Sequence, residues 1–100
     1  MATRTVDIST LIGSRPGVYG GRLLLLRSGF PMIQLVADYQ SGMRVDDFKE
    51  AYPHIDEESL YAGIAYYLAN RQALDEELEE REREGEAFYR TWLAAKKTAP

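Results

Sequence analysis

The chain has 100 residues, of which 45% are hydrophobic, so it can bury one modest core but not two. It contains no cysteine and a single histidine, His54, which excludes disulfides and thiolate chemistry and argues against the usual ligand sets of zinc. The longest apolar run, four leucines at residues 23–26, is too short to cross a bilayer, so we expect a cytoplasmic protein with no membrane contact.

The net charge of -4 is unevenly distributed along the chain. Residues 1–44 carry five arginines and two aspartates, a net charge of +3, whereas residues 55–100 carry six basic and eleven acidic side chains, a net charge of -5. A nucleic acid would therefore be attracted to the first part of the chain and repelled by the last part.

The first thirty residues are predicted to form a loop and a short β-ribbon. Residues 6–8 alternate weakly and allow a short strand. Glycines and prolines within residues 13–21 then break any regular element. Residues 23–26 and 30–32 can pair across a Ser28-Gly29 turn, which predicts a two-stranded ribbon, with a first helical turn as the alternative.

Three helices are predicted between residues 32 and 70. The first has apolar residues at i, i+3, i+4 and i+7 from Met32 and ends at Gly42. The second spans about residues 45–52 and ends before Pro53, while Asp56 is placed to cap the third. The predicted buried face of the third helix comprises Leu60, Ile64, Tyr67 and Leu68.

The third helix is predicted to run without a stop to Gly85. Beyond Asn70 its composition is strongly acidic, so it would be a solvated projection, or it would use its thin Leu74/Leu78 stripe against a second copy or a partner. An aromatic cluster follows at helical spacing, and clusters of this kind usually anchor interfaces. The candidate partner-binding residues are Phe88, Tyr89, Trp92 and Leu93.

No set of residues in the chain adds up to a catalytic site. The loop at residues 17–22 lacks the lysine and hydroxyl of a phosphate-binding P-loop, and His54 has no paired nucleophile motif. The carboxylates of residues 75–86 lie all around a helix with arginines among them, as on a solvated surface. We therefore expect no enzyme, no metal and no cofactor.

Residues 45–68 read as two amphipathic helices joined by a tight Pro53-His54 turn, the pattern of a helix-turn-helix motif. In that motif the second helix enters the major groove by its N-terminal end, yet here the end carries Asp56, Glu57 and Glu58, which would repel phosphates. The arginines of the N-terminal ribbon are the better candidates for contact with DNA. The candidate DNA-binding residues are Arg15, Arg22, Arg27 and Tyr61.

A series of turn and helix residues between positions 8 and 70 comprises Ile12, Arg15-Pro16-Gly17, Gly20-Gly21-Arg22, Phe30-Pro31-Met32, Gly42, Tyr52-Pro53-His54-Ile55, and Ala62 to Tyr66. In this order and spacing the series resembles the domain of unknown function 433 family of short prokaryotic proteins. It departs from the family at one place, where Arg27-Ser28-Gly29 stands instead of the usual Gly-Thr-Arg.

The resemblance implies a fold and a domain organisation. Family members are regarded mainly as VapB-like antitoxins, encoded beside a PIN-like ribonuclease toxin, with a helical bundle related to homeodomain-like DNA-binding domains. We expect a mainly α fold: a three-helix homeodomain-like, helix-turn-helix bundle with a short N-terminal β-ribbon at residues 1–70, followed by a long, acidic C-terminal helical extension at residues 71–100.

The expected function is that of an antitoxin-like component of a type II toxin-antitoxin pair. The helical domain would form a homodimer, and its binding to promoter DNA is left open. The C-terminal aromatic cluster would occupy a small PIN-like toxin, since an acidic segment complements the basic cleft of a ribonuclease. The alternative is a protein-binding adaptor or structural module without a nucleic-acid role, which the acidic start of the third helix favours.

Overall fold

A computed structural model describes residues 5–98 of the chain, and the side chains as far as residue 97. A 3-10 turn (Ile8–Thr10) leads to strand β1 (Ile12–Gly13), a second 3-10 turn (Tyr19–Gly21), and strands β2 (Leu24–Leu25) and β3 (Phe30–Pro31). Within the described range, four helices follow: α1 (Met32–Gln40), α2 (Val45–Ala51), α3 (Glu57–Ala69) and α4 (Arg71–Thr98). The fold is mainly α, with a small antiparallel sheet.

The predicted ribbon is confirmed and carries a third strand. In the β2/β3 pair Leu25 lies opposite Phe30, and Gly29, with φ +75°, makes the turn between them. Strand β1 pairs antiparallel with the other edge of β2, where Ile12 lies opposite Leu25. The alternative of a helical turn at residues 23–26 is therefore wrong.

The strand allowed at residues 6–8 is also wrong, because Asp7 caps a 3-10 turn there. Its Oδ1 accepts hydrogen bonds from the backbone N–H of Ser9 at 3.0 Å and from the Ser9 hydroxyl at 2.7 Å. A short side chain that bonds its own backbone in this way competes with an extended conformation.

The core lies between the sheet and the helices. Strand β2 contributes Leu24 and Leu25, and α1 contributes its predicted face, on which Leu35 and Val36 are completely buried. Phe48 of α2 is completely buried as well. Each such side chain removed from water contributes about 1.5–3 kcal/mol to folding.

The ends of α1 and α2 follow local signals that the sequence contains. Gly42 has φ +111° directly after the α1 terminus, a conformation that favours glycine. The helix α2 ends one residue before Tyr52, whose hydroxyl donates a hydrogen bond to Asp38 Oδ2 of α1 at 2.7 Å. This hydrogen bond, together with burial, raises the pKa of Tyr52.

The continuous third helix predicted from the sequence is wrong, because α3 ends at Ala69 and a new helix follows Asn70. Asn70 has φ -127° and ψ 34°, outside the helical region, and its side-chain Nδ2 and backbone N–H both donate to the Tyr66 carbonyl at 3.0 Å. Its own carbonyl accepts the N–H of Leu74 at 3.1 Å. Asn70 therefore closes α3 and opens α4. Gly85, in contrast, lies inside α4 and does not end it.

The first turns of α4 lie along α1. Leu74 and Leu78 are each 4% exposed and belong to the main core. Asp75 Oδ1 accepts hydrogen bonds from Gln40 Nε2 of α1 at 2.6 Å and from the Tyr67 hydroxyl of α3 at 2.7 Å. The expectation that the leucine stripe would pack against a second copy or a partner is therefore wrong, because the core of the same chain covers it. The alternative, a solvated projection, holds only for the part of α4 beyond Arg81.

The helix α3 packs on the core by a face that includes small residues. Leu60 and Tyr67 are buried as predicted, whereas Leu68 is 44% exposed and its predicted burial is wrong. Gly63 takes part of the inner face instead, and a Cβ added there would lie 2.7 Å from Leu35 Cδ1. Leu68 lies five residues further along, about 140° around the helix from Gly63, and so faces away from this contact.

Candidate partner-binding surface

The helix α4 continues beyond the core. Arg81 Nη2 donates a hydrogen bond to Gln34 Oε1 of α1 at 3.3 Å, and between residues 82 and 97 every side chain except Leu93 is exposed. At about 1.5 Å of rise per residue, the segment after Arg81 is about 25 Å long. It gives the described molecule its elongated dimensions of 72 × 30 × 27 Å.

Charged side chains support this exposed segment of helix. Glu86 and Arg90, one turn apart, form an ion pair of 2.5 Å. Lys96 and Lys97 lie in the last turn, where positive charge is favourable at the negative end of the helix dipole. These local interactions favour the helix, each by a few tenths of a kcal/mol to about 1 kcal/mol.

The four predicted partner-binding residues lie on this segment. Phe88 is 74%, Tyr89 57% and Trp92 47% exposed, and Leu93 is half-buried. The Tyr89 and Trp92 rings stack with their centroids 6.0 Å apart, and Lys96 Nζ lies 5.0 Å from the Trp92 ring centroid. We call these four residues the aromatic cluster. It is an exposed apolar surface of the kind that marks interaction sites.

The candidate DNA-binding residue Arg27 is engaged within the chain. Its Nη1 lies 2.8 Å from Asp56 Oδ2 and 2.7 Å from Glu58 Oε2, while Lys49 lies 3.2 Å from Glu57. These contacts join the end of the ribbon and α2 to the start of α3. They partly neutralise the acidic start of α3, and they leave Arg27 less available to phosphate groups.

Asp56 is the N-cap of α3, as predicted. Its carboxylate accepts hydrogen bonds from the Ser59 N–H at 3.2 Å and from the Ser59 hydroxyl at 2.7 Å. Partial burial acts to raise the pKa of Asp56, but the two hydrogen bonds from Ser59 and the nearby Arg27 outweigh it, so the pKa lies below its ordinary value. The carboxylate is therefore held in its charged form.

The other three candidate DNA-binding residues differ in their surroundings. The Arg15 guanidinium donates to the backbone carbonyl of Leu26. Arg22 is exposed; its backbone N–H donates to the Tyr19 carbonyl at 3.1 Å, while its side chain forms no hydrogen bond or ion pair with the rest of residues 5–97. Tyr61 is 55% exposed on the outer side of α3. Two of the four candidates, Arg15 and Arg27, are therefore engaged within the chain, and Arg22 and Tyr61 have exposed side chains.

Sequence reasoning missed an apolar depression between the N-terminal turn and α3. It has a volume of about 420 Å³. The signal for it was the absence of charge between residues 59 and 70, which leaves the whole later part of α3 apolar or neutral. The depression is lined by Ile8, Ser9, Ile12, Ala62, Ala65 and Tyr66.

Two kinds of feature are absent from the described part of the chain. Among residues 5–98 no helix combines the length and the apolar character needed to span a membrane. The same residues contain no group of three or more histidine, cysteine or carboxylate side chains placed to hold a metal ion.

These features define a small, mainly helical protein with a ribbon-capped core and an exposed aromatic helix. The family model described as "Protein of unknown function (DUF433)" matches residues 12–67, more than half of the chain, and the chain belongs to that family. The predicted resemblance over residues 8–70 is confirmed. The aromatic cluster lies outside the matched region.

A solved structure supports the same assignment. The chain is similar to the crystal structure of a DUF433 member protein from Anabaena variabilis ATCC 29413, determined at 2.00 Å resolution. The sequence identity is 30%, the TM-score is 0.61, and the match covers 72% of this chain and 71% of that chain. The curated proteins contain no match to the chain.

Proposed function

We propose that the chain is an antitoxin-like component of a type II toxin-antitoxin pair and binds a small PIN-like ribonuclease toxin through the aromatic cluster. The observation that supports this proposal is the exposure of Phe88, Tyr89 and Trp92 on a helix that extends beyond the core. Burying three such side chains in a partner would contribute several kcal/mol to association, at about 1.5–3 kcal/mol for each large apolar side chain. The antitoxin class itself comes from the family resemblance.

The charge of α4 suits a partner that normally binds RNA. Residues 71–98 carry eight acidic and six basic side chains, and all eight acidic ones precede residue 87. A ribonuclease needs a positively charged cleft to attract its substrate, and a negatively charged helix complements such a cleft. The aromatic side chains would then supply the apolar anchors of a helix bound in a groove.

Binding of promoter DNA is the less supported part of this proposal. The helices α2 and α3 would act as the helix-turn-helix pair, with Arg15 and Arg22 of the ribbon on the phosphates. The ion pairs of Arg27 with Asp56 and Glu58 favour the second candidate, a protein-binding adaptor without a nucleic-acid role. The two candidates share the aromatic cluster. They differ in the partner that it binds, a ribonuclease toxin or another protein, and in whether the chain has any role with nucleic acid.

The toxin-binding proposal is tested with the nuclease-like gene that would neighbour this one. That gene is expressed alone and together with the full chain, and growth of the host is measured. We expect growth arrest alone, rescue by the wild-type chain, and loss of rescue with the triple variant Phe88→Ala, Tyr89→Ala, Trp92→Ala. Removing three aromatic anchors should raise the dissociation constant by about 100-fold or more, since each anchor is typically worth more than about 1 kcal/mol.

A matched control lies on the same helix. The double variant Glu80→Ala, Arg83→Ala removes two exposed side chains without changing the net charge and should still rescue growth. Equal affinity of the triple variant and the wild-type chain would refute the placement of the interface. A mobility-shift assay at low salt with promoter DNA and an Arg15→Ala, Arg22→Ala variant tests the DNA-binding part alone, and no shift with the wild-type chain would refute that part. The absence of a ribonuclease-like reading frame beside the gene would favour the adaptor.

A further inference from the structure

The outer side of α3 carries a second exposed apolar surface, separate from the aromatic cluster. Beyond Glu58, every exposed position of this helix is apolar. Tyr61 is 55% and Leu68 44% exposed, values that are high for large apolar side chains within a helix that packs on the core. Spacings of three and four residues place these side chains on one face. We call this surface the α3 face; it comprises Tyr61, Ala65, Leu68 and Ala69.

The α3 face continues into the apolar depression beside it. Ala65 belongs to both, and the far wall of the depression is formed by Ile8, which is 60% exposed, and Ile12. Among the six lining residues, the only polar side-chain groups are the hydroxyls of Ser9 and Tyr66. The combined surface extends along the whole of α3, about 20 Å at 1.5 Å per residue.

The charges at the two ends of α3 are of opposite sign. Glu57 and Glu58 lie at its start and stay about half exposed although Lys49 and Arg27 contact them. Arg71 follows its end and is exposed, with its guanidinium carbon 5.7 Å from the centroid of the Tyr67 ring. A partner for this surface therefore needs an apolar helix with a basic group at one end and acidic groups at the other.

The helix α3 itself meets this description when it runs in the opposite direction. Ala65 lies midway between Tyr61 and Ala69, and almost midway between Glu58 and Arg71. An antiparallel pair with its two-fold axis at Ala65 would set Tyr61 against Leu68 and Ala69 of the second copy. It would also set Glu58 near Arg71 of the second copy at both ends, whereas a parallel pair would oppose like charges.

We propose that the α3 face is the contact between two copies of this chain, packed antiparallel about a two-fold axis at Ala65. The small side chain at the axis lets the two helices approach closely, and the larger Tyr61 and Leu68 pack on either side of it. The contact does not depend on a toxin or on DNA, and it leaves both aromatic clusters exposed. Tyr61 would be covered, and α3 could not enter a DNA groove in this dimer, so only Arg15 and Arg22 would remain for contact with DNA.

The test uses charges introduced at the proposed axis of the full-length chain. Ala65 is exposed, so Ala65→Glu and Ala65→Arg should leave the melting curve of the monomer unchanged. Each variant alone would place like charges face to face, and we expect the dimer dissociation constant, measured by analytical ultracentrifugation, to rise at least 100-fold. An equimolar mixture of the two variants should form a heterodimer as stable as the wild-type dimer.

The direction of the pair is tested by exchanging charges at its ends. Glu58→Arg should weaken the dimer, and adding Arg71→Glu to it should restore the dimer only if the helices are antiparallel. The proposal is overturned if the wild-type chain remains monomeric at a protein concentration about 100-fold above a micromolar dissociation constant. A dimer that survives both Ala65 variants but dissociates in the Phe88→Ala, Tyr89→Ala, Trp92→Ala variant also overturns it, because it places the contact on α4.

Discussion

Replacing Leu78 by alanine tests whether α4 is part of the folded core. Leu78 is 4% exposed and belongs to the cluster formed with α1. Leucine-to-alanine changes in cores cost about 2–5 kcal/mol, which combines the lost transfer free energy and the cavity that remains. Because Leu78 lies near the point where α4 leaves the core, we expect a loss of about 2–3 kcal/mol. That is a large fraction of the stability of a small domain.

The assay is equilibrium unfolding in urea, followed by far-ultraviolet circular dichroism. We expect one transition with a lower midpoint and an unchanged slope. Leu93→Ala is the matched control, since it removes the same side chain from the same helix beyond the core and should cost less than about 1 kcal/mol. The reasoning is refuted if Leu78→Ala costs no more than Leu93→Ala, because α4 would then unfold independently of α1.

Four further predictions concern backbone fit, capping and stability in acid. A Cβ at Gly63 would lie 2.7 Å from the Leu35 side chain, so Gly63→Ala should lower the free energy of unfolding by about 1–2 kcal/mol; a stabilised variant would contradict the close packing of α3 on α1. A Cβ at Gly85 meets nothing within 4 Å, so Gly85→Ala should raise the helical circular dichroism signal, a gain of up to about 1 kcal/mol in helix propensity, and a decrease would argue against a continuous α4. Asp56→Ala should lower the free energy of unfolding by about 1 kcal/mol, because it removes the acceptor that caps α3 at the Ser59 N–H. Asp56→Ser retains an acceptor and should lower it less. The pKa of Asp56 is lower in the folded than in the unfolded state, so its contribution to stability is present above the unfolded pKa of about 3.9 and is lost as the pH falls through the lower folded pKa. Asp56→Ala should therefore flatten this part of the curve of unfolding free energy against pH. An unchanged curve would contradict the role of Asp56 as the cap.

Local signals in the sequence were sufficient for α1, α2 and the start of α3. Gly42 and Asp56 act within one turn of the backbone that they terminate or cap, so their effect can be read from neighbouring residues alone. The β2/β3 ribbon is likewise set by a short turn. The third strand was missed because its pairing partner lies on the far side of the loop at residues 14–23.

The break at Asn70 and the docking of α4 depend on long-range packing. Asparagine occurs inside helices as well as at their ends, so Asn70 alone does not predict a boundary. The decisive contacts are those that Leu74 and Leu78 make with the core, which only the folded arrangement of α1 and α3 provides. Gly85 gave the opposite error, since a single glycine weakens a helix without ending it.

The candidate site was predicted in part. The aromatic cluster was found because its composition contrasts with the charged residues around it. The α3 face was missed because Leu68 was assigned to the core by its spacing, although Gly63 occupies that side. The engagement of Arg27 could not be foreseen either, because its partners Asp56 and Glu58 lie 29 and 31 residues further along the chain.

Because α4 is one long helix, a small change in its direction at Asn70 would produce a large displacement at its far end. Trp92 lies 22 residues beyond this junction, a distance of about 33 Å along a helix rising 1.5 Å per residue. A change of only about 10° in the direction of α4 would therefore displace the tryptophan by about 6 Å, as much as one helical turn. Leu74, Leu78 and Asp75 hold α4 on α1 and thus determine the position of the aromatic cluster, which is far from them. Small changes in these contacts would change where the cluster meets a partner.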